Sequence, residues 1–179
     1  MTKQLIVNAD DYGLTPGVAQ GILKAHREGI VTSTTAMMNR PGIADVLRQA
    51  QQAPDLGLGV HLVFTAGRPV LPLDKVPNLV DDNGLFWRTD VWQTRLTQID
   101  LNQLRLEWEA QLALFRSLAG EPDHLDCHHF LHVYPPVFEA YLSLAQQEGL
   151  PARMPFEAEE QCDQQTAVFA ADFRISPEV

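Results

Sequence analysis

Short apolar runs alternate with stretches of helical period, and this alternation constrains the fold of the 179-residue chain more than any other feature. Residues 4–9 read as a buried strand, ended by the turn-forming Asp10-Asp11-Tyr12-Gly13. Thr15-Pro16 follows as an N-cap with proline at the first helical position. Val18, Ile22 and Ala25 give that helix its apolar face, and Gly29 stands where it should stop. Residues 30–38 form a second expected strand. Residues 43–53 form a second helix, with Ile43, Val46, Leu47 and Ala50 at helical spacing and Pro54 closing it. Residues 56–62 form a third strand. Strands and helices of these lengths imply right-handed βαβ units and a parallel sheet.

The pattern pauses over residues 65–100, which hold three prolines, glycines and Phe86-Trp87. A loop of that length is usually a functional lid or disordered. A long amphipathic helix is expected over 101–118, with Leu104, Trp108, Leu112 and Phe115 on one side. Strand four follows at 124–127, a further helix at 136–148 and a fifth strand at 152–154. The tail, 158–179, has only weak periodicity. A closed barrel of eight βα units needs about 250 residues. About five strands therefore predict a single α/β domain over 1–179, with parallel strands and outer helices, as an open sheet or a distorted, incomplete (β/α) barrel.

A formal charge of −10 with only 13 Lys and Arg argues against a nucleic-acid footprint. No run approaches the roughly 18 apolar residues of a membrane span. Two cysteines are too few for a disulfide framework, and the first residues lead into a strand rather than a secretory leader, so a cytoplasmic protein is expected.

The strand ends carry the chemistry. The first run stops at Asp10-Asp11, the third at His61, and the fourth reads His124-Leu125-Asp126-Cys127-His128-His129 with His132 beyond. If these strands are parallel neighbours, Asp10, Asp11, His61 and His128 crowd one rim. Adjacent acids on an extended chain point to opposite faces, so one would bind a cation and the other handle protons unless the strand ends there. One of them merely capping the next turn is an equally good reading of that pair alone. A lone His61 is more often a hydrogen-bonded core residue than a ligand. Four of the six histidines within nine residues change that balance. Two imidazoles and a carboxylate leave coordination positions open, as in a catalytic rather than a structural metal site, and suggest hydrolysis. On a strand, His124, Asp126 and His128 share one face. Asp126 could orient an imidazole from behind, and His129 would flank the cluster.

These segments, together with Gly29-Ile30-Val31-Thr32-Ser33-Thr34-Thr35 and Gly59-Val60-His61-Leu62, resemble the YdjC-like carbohydrate deacetylases, which include chitooligosaccharide deacetylases. The resemblance runs in order from residue 4 to about 155. It implies a divalent metal, Mg²⁺ by the family's habit, on Asp11, His61 and His128. The donor set itself leaves Zn²⁺ open. It also implies removal of acetyl from an N-acetylated saccharide, with Asp10 as general base. Arg153 would orient that base, with Asp126 and His129 near the substrate. The chain departs from the family at Cys127, where Ser is usual, and at Phe130, where His is common. The family's barrel continues beyond this chain's length, with a His-Pro motif near the site, so His132, or else His129, is expected as proton donor here. Apolar residues in the long loop (Val76, Leu79, Leu85, Phe86) leave open an amino-sugar lipid substrate of hopanoid type, and the short C-terminus a non-catalytic metal- or sugar-binding module. Trp87 and Trp92, expected to be exposed, suggest a homodimer contact.

Overall fold

The computed structural model describes residues 5–154. Its four strands are β1 (Asn8–Tyr12), β2 (Ser33–Ala36), β3 (Gly57–Leu62) and β4 (Leu125–Cys127). They form one sheet in the order β1-β2-β3-β4, and all three pairings are parallel. Helix α1 (Pro16–Glu28) joins β1 to β2, and α2 (Ile43–Ala50) joins β2 to β3. Helices α3 (Thr89–Arg95) and α4 (Leu101–Ala119) lie between β3 and β4, and α5 (Pro135–Glu148) follows β4. Each strand is added beside its predecessor in one direction, so right-handed crossovers put the helices on one face of the sheet. The expected α/β fold of parallel strands with outer helices is the one observed.

Alternation then divides the strands between two environments. Ala36, Val60, Leu62, Leu125 and Cys127 are buried in the apolar core on the helical side. Asn8, Asp10, Thr35, His61 and Asp126 occupy the other face, where hydrogen bonds and ion pairs link them. The core is closed by Leu104, Trp108, Leu112 and Phe115 of α4, all buried, as the helical spacing predicts. Local chemistry sets the helix starts. Thr15 Oγ1 accepts from Val18 N at 3.2 Å ahead of Pro16, and the Asp100 carboxylate accepts from Asn102 N and Gln103 N.

Several boundaries differ from expectation. The first strand begins at Asn8, not residue 4, and Leu5 and Ile6 are exposed at 80% and 51%. Pairing with β2 starts at Asn8↔Ser33, after Val7 has accepted from Thr32 N and Ser33 N, and Leu5 and Ile6 lie ahead of it. Ile30 belongs to the α1–β2 turn and is exposed, so β2 keeps only four residues. The fifth strand is reduced to one parallel bridge, Leu125↔Ala152. Strand β4 ends at Cys127, and His128–Val133 turn away through a kinked 3₁₀ segment.

The long segment after β3 is ordered. It contains α3, an antiparallel bridge Val80↔Phe86 and a small core of its own. Val76, Leu79 and Phe86 are buried there, leaving only Leu85 of the residues that suggested a lipid substrate exposed. Trp92 is also buried, with Nε1 donating to Phe64 O, and Trp87 packs beneath Arg95 and donates to Asn78 O. Both tryptophans are built into the segment, which removes the sequence argument for a dimer contact.

Two polar residues on α4 clamp this segment to the sheet. Gln111 pairs with both backbone groups of Val63 (2.9 and 2.7 Å), and the buried Glu107 carboxylate accepts from Val70 N and Leu71 N (2.8 and 3.0 Å). Burial pushes the Glu107 carboxyl above its ordinary value, against the hydrogen bonds it receives. Glu107→Leu strips the acceptor from both N–H groups and is expected to cost about 2–4 kcal/mol in urea unfolding. Glu107→Gln, which keeps one oxygen, should lose roughly half of that.

Candidate metal centre

The strand-end acids reach the same rim because β1 is irregular. Its register with β2 shifts between Ala9 and Tyr12, and Asp11 adopts a left-handed conformation with φ 67°. Aspartate is among the few residues that tolerate this region. A bulge at a strand end re-aims a side chain, and here it lets Asp10 and Asp11 both serve the polar face of the sheet. Gly13, with φ 93°, completes the turn, and a methyl there would lie 2.6 Å from Ile43.

Asp11 Oδ1 lies 2.9 Å from His128 Nδ1 and 3.2 Å from His61 Nε2, and the two ring nitrogens are 3.2 Å apart. The three residues offer donor atoms that all lie within 4.8 Å of one another. Asp11 Oδ1 is buried, yet neither imidazole contact gives it an aligned hydrogen bond. Asp11 Oδ1 and the facing His61 Nε2 and His128 Nδ1 crowd one point, which fits a shared cation, and two nitrogens with one oxygen form a donor set for a divalent ion. Contact with His128, then with His61, holds the Asp11 carboxyl well below the usual carboxylate range.

Groups behind these donors orient them. His61 Nδ1 faces Thr35 Oγ1 at 3.3 Å and the buried Asp126 carboxylate at 3.7 Å. A proton on Nδ1 serves both acceptors and leaves the Nε2 lone pair for a cation. Asp126 also accepts from Cys127 N at 2.6 Å and from Arg153 Nη1 at 2.9 Å. The same Arg153 nitrogen lies 2.9 and 3.0 Å from the two Asp10 oxygens. Burial works against the Arg153 charge, but Asp126 and Asp10 raise its affinity for the proton. Arg153 is in place because its N–H donates to Leu125 O and the Tyr141 hydroxyl donates to the carbonyls of Leu125 and Arg153.

The two remaining histidines have opposite settings. His129 and Phe130 are consecutive left-handed residues, φ 61° and 55°, a strained pair of the kind found at functional sites. His129 is exposed, lies against His128 with centroids 3.7 Å apart and the rings tilted by 32°, and meets the Thr65 and Thr89 hydroxyls at Nδ1, each at 3.0 Å. Burial, then the nearby His128, lowers its proton affinity. His132 is fully buried against Tyr141, and neither ring nitrogen has a hydrogen-bond partner among the described residues. Burial, helped by the Arg153 charge, pushes its pKa down to about 4. The structure thus gathers Asp10, Asp11, His61, His128, Asp126 and Arg153, keeps His129 at their edge, and seats His132 in the interior.

His132 carries a testable signature. Its folded pKa is depressed from an ordinary 6.5, so its contribution to stability is present above pH 6.5 and lost as pH falls toward 4. The wild-type should lose about 3 kcal/mol more than His132→Phe between those limits, measured by urea unfolding at a pH series.

Asn8, Thr35, Thr65 and Thr89 support the site without having been singled out in the sequence. The available signal was alternation, which sets Asn8 on the Asp10 face of β1; nothing local marks the threonines.

Residues 4–176 match the family of YdjC-like proteins. A carbohydrate deacetylase of Enterococcus faecalis (strain ATCC 700802 / V583) is 41% identical over 155 residues, 84% of this chain and 58% of that protein. A chitooligosaccharide deacetylase of Proteus mirabilis (strain HI4320) is 41% identical over 156 residues, 86% and 60% of the respective chains. The crystal structure of a candidate cellobiose-phosphate cleavage protein from Enterococcus faecalis V583 superposes with a TM-score of 0.84 at 36% identity, covering 97% of this chain and 65% of that one. The chain spans about 60% of the length of these curated relatives. With four parallel strands and the Asp-His-His rim in place, the chain belongs to the YdjC-like protein family.

Proposed function

We propose that this chain is a metal-dependent hydrolase that removes the acetyl group from an N-acetylated sugar or a short chitooligosaccharide. The observation that carries the reading is the convergence of Asp11, His61 and His128 beside a second carboxylate, Asp10, held by Arg153. The names of the deacetylases at about 41% identity support the same substrate class.

Asp11, His61 and His128 would hold the cation, and a divalent ion there supplies Lewis acidity toward a carbonyl oxygen and toward water. Asp10 accepts the proton of the attacking water. Arg153 fixes both Asp10 oxygens, so the base holds one orientation as its charge changes. Asp126 and Thr35 keep His61 in the tautomer that frees Nε2. His129 is the better-placed donor for the departing amine, because it stands at the exposed rim while His132 is buried in the interior. Its Nδ1 is engaged by Thr65 and Thr89, which assigns the transferred proton to Nε2.

Two imidazoles against one carboxylate suit Zn²⁺ better than Mg²⁺, which prefers an oxygen shell. Elemental analysis of protein purified without chelators separates them. No helix among the described residues is long and apolar enough to cross a membrane. A cytoplasmic setting, with the buried Cys127 thiol reduced, completes the reading.

The test is acetate release from diacetylchitobiose by metal-loaded and chelator-treated protein. Release that requires the metal supports the hydrolase. A folded, metal-loaded chain that releases none would instead be a binding module.

A further inference from the structure

A second polar chain crosses the polar face of the sheet from the start of β4 to β1, outside the cation ligands. Asp123 Oδ2 accepts from Leu58 N at 2.9 Å, while its Oδ1 meets His124 Nδ1. His124 Nε2 faces Asn8 Oδ1 at 3.3 Å, with Ser33 Oγ at 3.5 Å, so acceptors meet both ring nitrogens and the arrangement takes the doubly protonated ring, with Asp123 as its counter-ion. The Asn8 amide must present its NH₂ to the Asp10 carboxylate, 2.8 Å away, which turns its oxygen toward His124. The same Nδ2 reaches Thr35 Oγ1 at 3.3 Å, the group that faces His61 Nδ1. Two glycines on β3 make room for this chain. A methyl at Gly57 would lie 2.7 Å from Asp123, and one at Gly59 would lie 2.6 Å from the His124 ring.

We propose that His124, braced by Asp123, is a positioning residue that fixes the Asn8 amide and, through it, the Asp10 carboxylate and the His61 ring. This rests on the reading of Asp10 as the general base. An amide holds a direction but does not readily relay a proton, so the chain orients Asp10 and transfers nothing. His124 touches neither the cation ligands nor the reacting atoms, and its effect travels by way of Asn8.

The experiment compares His124→Leu, His124→Gln and Asn8→Ala by steady-state acetate release, metal content and thermal melting. His124→Leu should lower kcat about tenfold with KM and metal content unchanged, the loss of one oriented hydrogen bond in the rate. His124→Gln, which restores an N–H donor, should recover most of that. The double variant His124→Leu with Asn8→Ala should be no slower than Asn8→Ala alone, because both act through one amide. Asp123→Ala, at a half-exposed position, should give about a threefold loss and serves if His124→Leu melts early. Wild-type kcat in His124→Leu, or losses that multiply in the double variant, would overturn the proposal. If Asp10→Asn retains turnover, the underlying base assignment fails. If Asp10→Asn is inactive and His124→Leu is unchanged, only this inference does.

Discussion

Asp10→Asn is expected to lower turnover of diacetylchitobiose by about 10²–10⁴-fold while metal content per chain stays at the wild-type level. The range is that of a positioned general base, and the structure indicates why little else should change. Both Asp10 oxygens contact one Arg153 nitrogen, and that nitrogen also binds Asp126 at 2.9 Å, so Arg153 keeps a carboxylate partner in the variant. The Asp10 side chain is about a third exposed, which limits the cost of losing its charge pair to about 1 kcal/mol or less. Asn8, which donates to Asp10 Oδ1, can donate equally to the amide oxygen of the variant. Single-turnover acetate release paired with elemental analysis makes the measurement. Undiminished turnover would remove Asp10 from the chemistry, and loss of metal would mean that the roles of Asp10 and Asp11 are exchanged.

The parts of this site that were legible in the sequence are those governed by strand order and period. The apolar runs before Asp10, His61 and Asp126 gave neighbouring parallel strands, and parallel neighbours bring their ends to one rim. The α4 stripe was legible for the same reason, because Leu104, Trp108, Leu112 and Phe115 follow the helical period into the core. Both adjacent acids were expected at the rim, but how the backbone brings them there was not legible, since alternation alone sends Asp10 and Asp11 to opposite faces. A left-handed residue inside a strand end, at a position that is not glycine, resolves it, and local propensity does not announce such a residue. The same holds for His128, which lies beyond the end of β4 yet still reaches Asp11. His132 failed in the other direction. The family resemblance suggested it as a substitute proton donor, but the kink at His129 and Phe130 takes the chain back into the core against Tyr141. The order in the 65–100 segment was hidden because its anchors include single polar residues on a separate helix, Glu107 and Gln103, placed beside an apolar stripe.

Asp11→Asn should separate the second acid from the first in the opposite sense: metal content falls, with affinity reduced at least about 100-fold, and turnover falls with it. Asn accepts the left-handed backbone at this position about as readily as Asp, so the φ of 67° can persist and only the charge is removed. The two imidazoles then remain 3.2 Å apart without the anion that lies between 2.9 and 3.2 Å from them. A cation held by two neutral nitrogens and an amide loses its one anionic ligand, which weakens binding of any divalent ion. Asp11→Ala should show the same metal loss and an added destabilisation of about 1–2 kcal/mol, because alanine carries the full steric cost of that backbone. Asp11→Gly should recover the backbone part without restoring metal. The readouts are isothermal titration with Zn²⁺ and Mg²⁺ and urea unfolding of the metal-free variants, so binding and backbone strain are scored separately. If Asp11→Asn binds metal like the wild-type, the Asp-His-His rim is not the cation site, and the unpartnered Asp11 Oδ1 needs another explanation.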